Sequence, residues 1–577
     1  MIKNANFVKK PKSIAGLMFL SHAIGMIIFL IIHYIFPTPW NIKAPECWLK
    51  CILLFGINSV LNCLFLSGGF LTKSVTSQKK AKLIFGPFLI PIFLILAFMI
   101  CGLTGAQIFH SSRYAQMIQV EEVDSNRILS EEDAESIALM DTDSARQLGD
   151  REIGAIENFS AFNVSDTYVQ LNVKEDAVKI APLEYVGFFK WIKNKTSGVT
   201  GYVSVSPTTM TAKYVELQEG MHYVPSAYFG KDLYRHLHYQ FPTKMMGNIH
   251  FEIDEDGNPY YITSVFDKTI GLFGGEVVIG AIITNPINGE SEYYAIHEIP
   301  IWVDSVVPGD LICELYNVSH KNINGYWNGT SFGANTGCMQ VTTIDTYSEN
   351  EDGEEIIEAG MDFGYIAKDG DIYVYTGVTS MAADSSNLGF IMVNQRTGAY
   401  QYVAVSSANE QSAMNAAEGE VQQYGYHASF PTLINVDNEL SYIGVLKDQS
   451  GLVKMYYMVN VKDYGKVAVA NTREECVSLY AKKLGLALNE NILDSQDSNQ
   501  NTQKTQVSFV ISVIRFADID GNTYVYMGTD DGRVYKSLFH ENEALLFAEI
   551  GTTITGFLQN DKLTVEKIEN TEVIDKF

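Results

Sequence analysis

Three long apolar segments near the amino terminus constrain the fold of this chain more than any other feature. Residues 13–36 contain no Lys, Arg, Asp or Glu, and a helix of that length crosses the roughly 30 Å hydrocarbon core of a bilayer. Similar segments follow at about 48–71 and 83–109, and these further spans argue against a cleaved signal peptide. The sequence therefore predicts three transmembrane helices within residues 1–110, which contact the lipid bilayer through residues 13–109.

Charge near these segments predicts their orientation. Lysines cluster in the amino-terminal tail and in the second loop, at residues 73–82, whereas the first loop has Lys43 beside Glu46. Because Lys and Arg near the ends of spans are retained in the cytoplasm, the amino terminus should be cytoplasmic. We therefore expect a multi-pass protein of the cell membrane with an extracellular carboxy-terminal ectodomain after residue 110.

The predicted ectodomain is strongly acidic. Residues 1–105 hold ten lysines and one acid, so 31 of the 41 basic and 66 of the 67 acidic side chains lie beyond them. The resulting charge, near −35, repels nucleic acid and anionic lipid headgroups. Neither is expected as a partner, and a soluble acidic domain explains this charge without a ligand.

Cysteine is sparse in the predicted ectodomain. Its cysteines are Cys313, Cys338 and Cys476, too few for a disulfide framework. We expect buried, reduced thiols, with a bridge between Cys313 and Cys338 as the alternative. Together with many Lys and Asn residues, this composition is typical of a surface protein of a Gram-positive bacterium.

The sequence after residue 200 contains two related segments. "GYVSVSPTTMTAKYVEL" at 201 resembles "GFIMVNQRTGAYQYVAV" at 389, and in both a helix-like stretch then leads to Phe-Pro-Thr, at 241–243 and 430–432. Alternating apolar residues typical of strands follow in each. We predict two α+β repeats, at 200–300 and 388–486, each with two strands, a helix and three antiparallel strands. In the second helix, the spacing predicts one shared face for Met414, Ala417, Val421 and Tyr424.

These repeats resemble a known family. "NPINGESEYY" at 285–294 and "NQRTGAYQY" at 394–402 are similar to the Asn or Asp, Thr-Gly and aromatic strand of extracytoplasmic PepSY domains, which have a cystatin-type helix followed by three antiparallel strands. The resemblance implies non-catalytic modules that bind or restrain other proteins, in some cases proteases. The chain departs from the family in a long insertion between the two copies.

The remaining domain boundaries follow from composition. Residues 111–199 are predicted to form a juxtamembrane α+β segment, and residues 301–387 an insertion with the acidic loop "ENEDGEEIIE". The polar stretch at 487–504 is typical of a flexible linker. Residues 505–577 offer short strands separated by turns that contain glycine, which predicts a small β-barrel or sandwich.

An acidic run before a glycine raises the question of a calcium site. Glu252, Asp254 and Asp256 have the spacing of the first three ligands of a calcium loop, but Thr263 stands where that loop needs a bidentate Glu. The second repeat keeps the strand pattern here and loses the acidic spacing. We predict a polar hairpin turn rather than a metal site.

Histidines are considered as ligands in two places. In the predicted ectodomain, the sequence pattern favours ordinary surface or core histidines at His222, His236, His238 and His250. In the first span, His22 and His33 are three helical turns apart and share a face, so haem ligation in an oligomer is one hypothesis. The alternative is that His33 lies at the interface while His22 hydrogen-bonds to the second span, through Asn58 or Asn62.

Motifs that carry known chemistry are missing from the sequence. It contains no zinc-protease helix motif, nucleophile elbow, P-loop or paired-cysteine metal motif, so we assign no catalytic, cofactor-binding or metal-binding residue. The sequence favours a membrane-anchored extracytoplasmic module, not an enzyme, that binds or scaffolds an envelope protein partner. The alternatives are an accessory subunit of an envelope transport or assembly machine and an envelope enzyme with dispersed active residues.

Overall fold

A computed structural model of the chain shows an α+β fold, as predicted, with many strands and fewer helices. It divides into two compact units, Met1–Gly485 and Leu486–Phe577. The structure describes residues 14–67, 77–124, 139–140, 142–153, 159–174, 176–349, 355–437, 439–485, 506–519, 522–530, 533–539, 545–546, 548–558 and 565–571.

Three stretches of helix in the amino-terminal region are long and apolar enough to cross a membrane, as expected of a multi-pass membrane protein. They are Ala15–Ile35, Pro45–Leu66 and Ala81–Leu103. The second begins earlier than expected because proline suits the first turn of a helix. The helices of this region are α1 (Ile14–Ile35), α2 (Pro45–Ser67), α3 (Ser77–Phe85), α4 (Leu89–Leu103) and α5 (Gln107–Ala115), with a 3-10 turn at Gly86–Phe88 between α3 and α4.

Two asparagines of α2 pack against the neighbouring spans. Gly25 of α1 is so close to Asn58 that a Cβ there would lie 2.4 Å from Asn58 Oδ1. Asn62 Nδ2 donates a hydrogen bond to the Leu83 carbonyl at 2.9 Å. A small residue and side-chain hydrogen bonds are the usual means by which helices associate in lipid, so these contacts bring the three spans together.

Residues 107–485 form the extramembrane domain, whose first half is built from two antiparallel sheets. Its elements are β1 (Val120–Glu122), α6 (Thr142–Ile153), β2 (Phe162–Val164), β3 (Val169–Val173), β4 (Asp176–Tyr185), α7 (Phe188–Asn194), β5 (Val199–Ser206), β6 (Thr211–Met221), α8 (Leu233–Gln240), β7 (Met245–Ile253), β8 (Pro259–Ile270), β9 (Gly274–Thr284) and β10 (Ser291–Ala295). One sheet has the order β2-β4-β5-β6 with β3 paired to β4, and the other has the order β10-β9-β8-β7. The Tyr202 and Phe251 rings, one from each sheet, lie 5.5 Å apart in a shared core.

The second half of the extramembrane domain contains a second pair of antiparallel sheets with a helix between them in the chain. Its elements are α9 (Gly309–Lys321), β11 (Met339–Val341), β12 (Thr343–Glu349), β13 (Glu355–Met361), β14 (Gly364–Lys368), β15 (Asp371–Ser380), β16 (Ala383–Asn394), β17 (Tyr400–Ala408), α10 (Glu410–Glu420), β18 (His427–Ala428), β19 (Thr432–Val436), β20 (Glu439–Lys447), β21 (Val453–Asn460), β22 (Val467–Ala470) and α11 (Arg473–Leu484). The first sheet has the order β1-β17-β16-β15-β11 with β14 paired to β15, and β1 joins it in parallel. The second has the order β18-β20-β21-β22 with β19 paired to β20.

The segment 301–387, which we expected to be an insertion, is part of the second pair of sheets. Within it, β15 pairs with β16 from Tyr373 opposite Asn394 onward, and β11 and β14 pair with β15. A boundary at residue 388 would therefore cut through one sheet. The centre of the acidic loop, residues 350–354, lies outside the described residues, and its flanks form the hairpin of β12 and β13.

The two Phe-Pro-Thr tripeptides follow their helices differently. Phe241 caps α8 directly, whereas α10 ends at Glu420 and β18 lies between that helix and Phe430. Tyr424 is 58% exposed and lies beyond the end of α10, so the prediction that it shares a face of this helix with Met414 is wrong. Both segments have the order sheet, helix, sheet, and the superposition of 200–300 on 388–486 stays a prediction.

The second unit contains two three-stranded antiparallel sheets. Its strands are β23 (Gln506–Val510), β24 (Val513–Ile519), β25 (Asn522–Gly528), β26 (Val534–Leu538), β27 (Thr553–Leu558) and β28 (Val565–Thr571). The sheet orders are β23-β27-β28 and β24-β25-β26, and Phe509 of one stacks on Tyr535 of the other with ring centroids 4.0 Å apart. The two sheets thus share one core. The expected linker at 487–504 lies outside the described residues.

The extramembrane domain docks on the ends of the spans. Lys43, in the loop between α1 and α2, places its Nζ 2.8 Å from both carboxylate oxygens of Asp267 on β8. At the turn between β8 and β9, the Phe273 ring lies 5.2 Å from Phe98 of α4 and 6.1 Å from Trp48 of α2. These contacts hold the turn between two membrane exits and fix the domain relative to the bilayer.

Replacing Gly271 with alanine should weaken this docking. Gly271 has φ +61°, and a Cβ there would lie 2.5 Å from the Thr104 carbonyl oxygen beyond α4. We expect Gly271→Ala to lose about 1 kcal/mol through the backbone and about 1–3 kcal/mol more through the overlap. Gly257→Ala is the matched control, since Gly257 has φ +83° and its Cβ would have 3.6 Å of clearance. Urea unfolding of the full-length protein in detergent measures both, and equal losses would contradict tight docking at Gly271.

Candidate functional site

A loop without charge carries the most exposed large apolar side chain among the described residues. The loop comprises residues 322–338, "NINGYWNGTSFGANTGC", and contains no Asp, Glu, Lys, Arg or His. Phe332 is 92% exposed and Trp327 is 65% exposed. We call residues 322–338 the aromatic loop.

Side chains of the aromatic loop bind its own backbone and hold it in one conformation. Asn328 donates from Nδ2 to the Thr336 carbonyl at 3.0 Å and accepts the Thr336 N–H on Oδ1 at 3.2 Å. Asn324 Nδ2 donates to the same carbonyl at 2.8 Å. Gly333 is needed here because a Cβ would lie 2.2 Å from the Asn328 carbonyl oxygen. Such local bonds are typical of Asn in turns. Because they already order the loop, little conformational entropy remains to be lost when a partner binds.

The aromatic loop lies beside the end of the third span. It follows α9, in which Ser319 Oγ donates to the Ala115 carbonyl of α5 at 2.8 Å. At the start of the loop, Asn322 Nδ2 donates to Gln107 Oε1 at 3.2 Å. Gln107 is the first residue of α5, and α4 ends at Leu103. The base of the aromatic loop is therefore next to the membrane exit of α4.

The composition of the aromatic loop suits binding rather than proton transfer. Its ionisable side chains are the Tyr326 phenol and the Cys338 thiol, and burial raises the pKa of the Cys338 thiol. Asn, Gly, Ser and Thr with Trp, Tyr and Phe are the residues of protein-binding loops, in which rigid rings anchor the partner and amides adapt to it. Tryptophan is also among the residues that carry most of the binding energy in interfaces.

Two buried carboxyl groups meet where the first and second halves of the extramembrane domain converge. Glu252 of β7 accepts the backbone N–H groups of Asp304 at 3.0 Å and Ser305 at 2.9 Å. Asp304 Oδ2 accepts the Asn172 N–H of β3 at 2.6 Å. Burial, and after it the Glu252 carboxylate, raises the pKa of Asp304 to about 9. Both carboxyls are buried, and their hydrogen bonds join β3 and β7 to the connection before α9.

A third buried carboxyl group lies at the start of α10. Glu410 Oε2 accepts from Asn387 Nδ2 at 2.9 Å, and Asn387 Oδ1 accepts from Thr342 Oγ1 at 3.0 Å. Burial raises the pKa of Glu410. A Cβ on Gly377 would lie 2.3 Å from Glu410 Oε1, so the β15 backbone covers this carboxyl. These contacts attach the start of α10 to the sheet that contains β15 and β16.

One cleft of the extramembrane domain is smaller than a typical small-molecule site. That cleft, between α6 and the turn that joins β20 to β21, has a volume of 210 Å³, below the roughly 300–1,000 Å³ of small-molecule sites. Its lining is Met140, Ser144, Leu148, Met210, Leu452, Val453, Lys454, Tyr456 and Asn471. Within the described ranges, no group of three or more His, Cys, Asp or Glu side chains could hold a metal ion.

The acidic run at 252–256 forms the predicted hairpin. The strands β7 and β8 pair in antiparallel fashion up to Ile253 opposite Pro259. In the turn, Asp254 Oδ1 accepts the N–H groups of Asp256 at 3.0 Å and Asn258 at 2.8 Å. The Glu252 carboxylate points into the core instead, so the three acids of the run do not converge.

The histidines of the extramembrane domain have separate partners. His250 Nε2 lies 2.9 Å from Glu252 Oε1, and His236 Nε2 lies 2.8 Å from the Gly289 carbonyl. His238 is buried, and burial lowers the pKa of its ring. His222 donates its backbone N–H to the carbonyl of residue 286. These four histidines therefore do not meet at one site, and the prediction that they are surface or core histidines stays a prediction.

The two histidines of the first span have different surroundings. His22 Nδ1 lies 2.8 Å from the Met18 carbonyl of its own helix, so the predicted hydrogen bond to the second span is wrong. The reason is that Asn58 and Asn62 of α2 are directed at the Leu54 and Leu83 carbonyls. His33 lies near the end of α1, as predicted for an interface residue, with Nδ1 2.8 Å from Lys50 Nζ.

The cysteines are as expected from the sequence. Cys313, Cys338 and Cys476 are buried and have free thiols. Cys338 accepts a hydrogen bond from Asn328 Nδ2 at 3.1 Å, which makes it part of the base of the aromatic loop. The alternative of a bridge between Cys313 and Cys338 is not what the structure shows.

The aromatic loop was missed at the level of sequence. A run of this length without charge, in a region where acids outnumber bases about two to one, is the signal that could have identified it, because Trp327 and Phe332 stand there among turn-forming residues.

Comparisons with known proteins add little. No protein-family model matches the chain, and neither does any curated protein. Among solved structures, a mutant of B. megaterium levansucrase aligns with 76% of this chain and 97% of its own length, at 10% sequence identity and a TM-score of 0.17. A likeness at that TM-score carries no argument about fold or activity.

Proposed function

We propose that this protein is a membrane-anchored extracytoplasmic module, not an enzyme, that binds an envelope protein partner through the aromatic loop. The observation that carries the proposal is the pair of exposed rings at Trp327 and Phe332 on a loop fixed by its own asparagines. Exposed rings on a preorganised backbone provide contact area without a large entropic cost on binding.

The location of the aromatic loop supports a partner that is itself a membrane protein. The loop base contacts α5 through Asn322 and Gln107, and Lys43 and Asp267 tie the same domain to the first two spans. The loop is therefore held beside the bilayer in a fixed orientation. A partner with an apolar pocket for the two rings and amide-binding groups around it would match this surface.

We propose further that the two pairs of sheets contain PepSY-like modules. In each half, a helix leads into an antiparallel run, α8 into β7–β10 and α10 into β18–β22. Tandem modules enlarge a binding surface without any reactive group. We propose that the second half presents the aromatic loop while the first half docks on the spans.

Site-specific crosslinking tests the proposal. A photoreactive amino acid at Phe332 should capture one membrane protein in intact cells, and Trp327→Ala should reduce that capture by about tenfold or more because it removes a central anchor. The matched control position is Tyr464, which is also exposed, at 56%, and uncharged. Equal capture at both positions, or capture that Trp327→Ala leaves unchanged, would show that the aromatic loop is not the docking surface.

Orientation in the membrane gives a separate prediction. The lysines of the amino-terminal tail and of residues 73–82 should remain cytoplasmic, and the structure has the extramembrane domain at the opposite ends of α1 and α2. Protease added to intact cells, after the outer wall is removed, should therefore digest a tag at the carboxy terminus and spare a tag at the amino terminus. Protection of the carboxy-terminal tag would refute the orientation.

A further inference from the structure

A second exposed apolar surface lies around α7. Phe189 is 83% exposed and Phe229 is 54% exposed. Val186 and Ile192, in the same segment as Phe189, are also exposed. We call residues 186–195 and 229–231 the basic aromatic patch. This patch and the aromatic loop have no residue in common.

The basic aromatic patch rests on a packed layer of rings. Trp191 of α7 is buried, and its ring lies 5.5 Å from Tyr228 and 5.8 Å from Phe229. Phe188 lies 5.2 Å from Tyr228 with the rings edge to face. The exposed side chains therefore project from a rigid base.

The charge of the basic aromatic patch is opposite to that of the whole domain. The segments 186–195 and 229–231 contain Lys190, Lys193, Lys195 and Lys231 and no Asp or Glu. The residues beyond 105 carry a net charge near −35, but charges more than about 8–10 Å away are largely screened at physiological salt. A surface that touches the patch therefore meets a local excess of positive charge.

The basic aromatic patch lies at the level where the first span leaves the membrane. Arg235 of α8 donates from Nη1 to the Phe229 carbonyl and from Nε to the Tyr34 carbonyl at 2.8 Å. The same guanidinium lies 4.6 Å from the Tyr34 ring. Tyr34 is the second-to-last residue of α1, so a single side chain separates the patch from the end of a transmembrane helix.

We propose that the basic aromatic patch inserts into the leaflet on the same side of the membrane and binds anionic phospholipid headgroups. Phe189 and Ile192 would enter the boundary between headgroups and acyl chains, where aromatic rings are enriched. The lysine stems would lie along this surface with their ammonium groups at the phosphates. From its overall negative charge, the extramembrane domain was expected to repel anionic lipid. The basic aromatic patch is a local exception, because its own charged residues are lysines.

The spans raise the occupancy of this lipid contact above what the isolated patch would reach. The patch is tethered to the bilayer through α1, so its local concentration at the surface is high and the contact is intramolecular. Insertion at α7, together with the docking of the β8–β9 turn on α2 and α4, supports the domain on two sides. The lipid contact thereby fixes the tilt at which the domain stands on the membrane.

Photocrosslinking of the full-length protein in vesicles tests the inference. Benzoylphenylalanine at Phe189, in vesicles that contain phosphatidylglycerol, should give lipid adducts by mass spectrometry, whereas the same residue at the exposed control position Tyr464 should give few. Lys190→Gln with Lys193→Gln should reduce the adduct yield severalfold, and so should replacement of phosphatidylglycerol by phosphatidylcholine. Lys193 is exposed and Lys190 is half-buried, and circular dichroism checks the fold of the variant.

Three results would overturn the inference. They are adducts at Phe189 no more frequent than at Tyr464, a yield independent of both lipid charge and the two lysines, and crosslinks from Phe189 to a second copy of this chain in place of lipid. The last would identify the patch as an interface between copies of the chain. None of these outcomes depends on the aromatic loop, because the vesicles contain no partner protein.

Discussion

Replacing Glu252 with alanine should lower the free energy of unfolding of the extramembrane domain by about 3–5 kcal/mol, the range for breaking a buried charged network. The carboxylate accepts the N–H groups of Asp304 and Ser305 and contacts His250 Nε2. Alanine would leave the buried N–H of Asp304 and the half-buried N–H of Ser305 without an acceptor, at about 1–3 kcal/mol for a buried donor. Because residues 304 and 305 precede α9, the loss should separate the two halves of the domain.

Urea-dependent pulse proteolysis of the full-length protein in detergent measures this effect. Glu216→Ala is the matched control, since Glu216 is also a strand glutamate but is exposed on β6, and surface changes of this kind stay within about 0.5 kcal/mol. Glu252→Gln should fall between the two, because its amide oxygen can still accept one of the N–H groups. Similar midpoints for Glu252→Ala and Glu216→Ala would contradict a structural role for the buried carboxylate.

The spans could be predicted from sequence because their determinant is local. An uninterrupted apolar segment in lipid must satisfy its own backbone, and a helix does so within the segment. What the sequence missed was the loop between the first two spans. From the sequence, Lys43 was only one lysine of the first loop, which has few basic residues. In the structure it forms an ion pair with Asp267, more than two hundred positions away.

The acidic run shows why spacing alone misled about one residue. The alternation around Glu252 is that of a strand, and the turn at Asp254 follows from local hydrogen bonds, so the hairpin was predictable. That Glu252 faces the core was not, because its partners Asp304 and Ser305 are about fifty residues away. A buried carboxylate becomes favourable only when such distant donors are in place.

The second half could not be divided correctly for a similar reason. The segment 301–387 looked like an insertion because it has no counterpart in the aligned repeats, yet β15 is a central strand of the sheet that includes β16 and β17. Strand pairing is a relation between segments, and nothing within β15 specifies its neighbour. The aromatic loop is part of this segment. It was overlooked because the whole segment was interpreted as an insertion.

The buried carboxyl of Asp304 should make the extramembrane domain less stable as the pH rises from about 4 to 9, and Asp304→Asn should remove this contribution. Burial, followed by the Glu252 carboxylate, raises the pKa of Asp304 from 3.8 to about 9. In this window the folded state keeps a proton that the unfolded chain releases, so the stabilisation is complete below the unfolded pKa and is lost as the pH rises through the folded pKa. For one proton the slope is up to about 1.4 kcal/mol per pH unit.

Asparagine at 304 keeps an oxygen for the Asn172 N–H and cannot ionise, so the variant should be more stable than the natural protein at pH 8 and similar to it near pH 4. Pulse proteolysis in urea at both pH values measures the free energy of unfolding of the natural protein and of Asp304→Asn. In the difference between the two proteins, the contributions of the other titrating groups cancel.

Asp371→Asn is the matched control from the same region. Asp371 pairs with Arg396 through contacts of 2.6–2.8 Å, so its loss should destabilise the domain at pH 8, the opposite sign. If the curves for Asp304→Asn and the natural protein run parallel, the buried carboxyl is not the group that holds the proton.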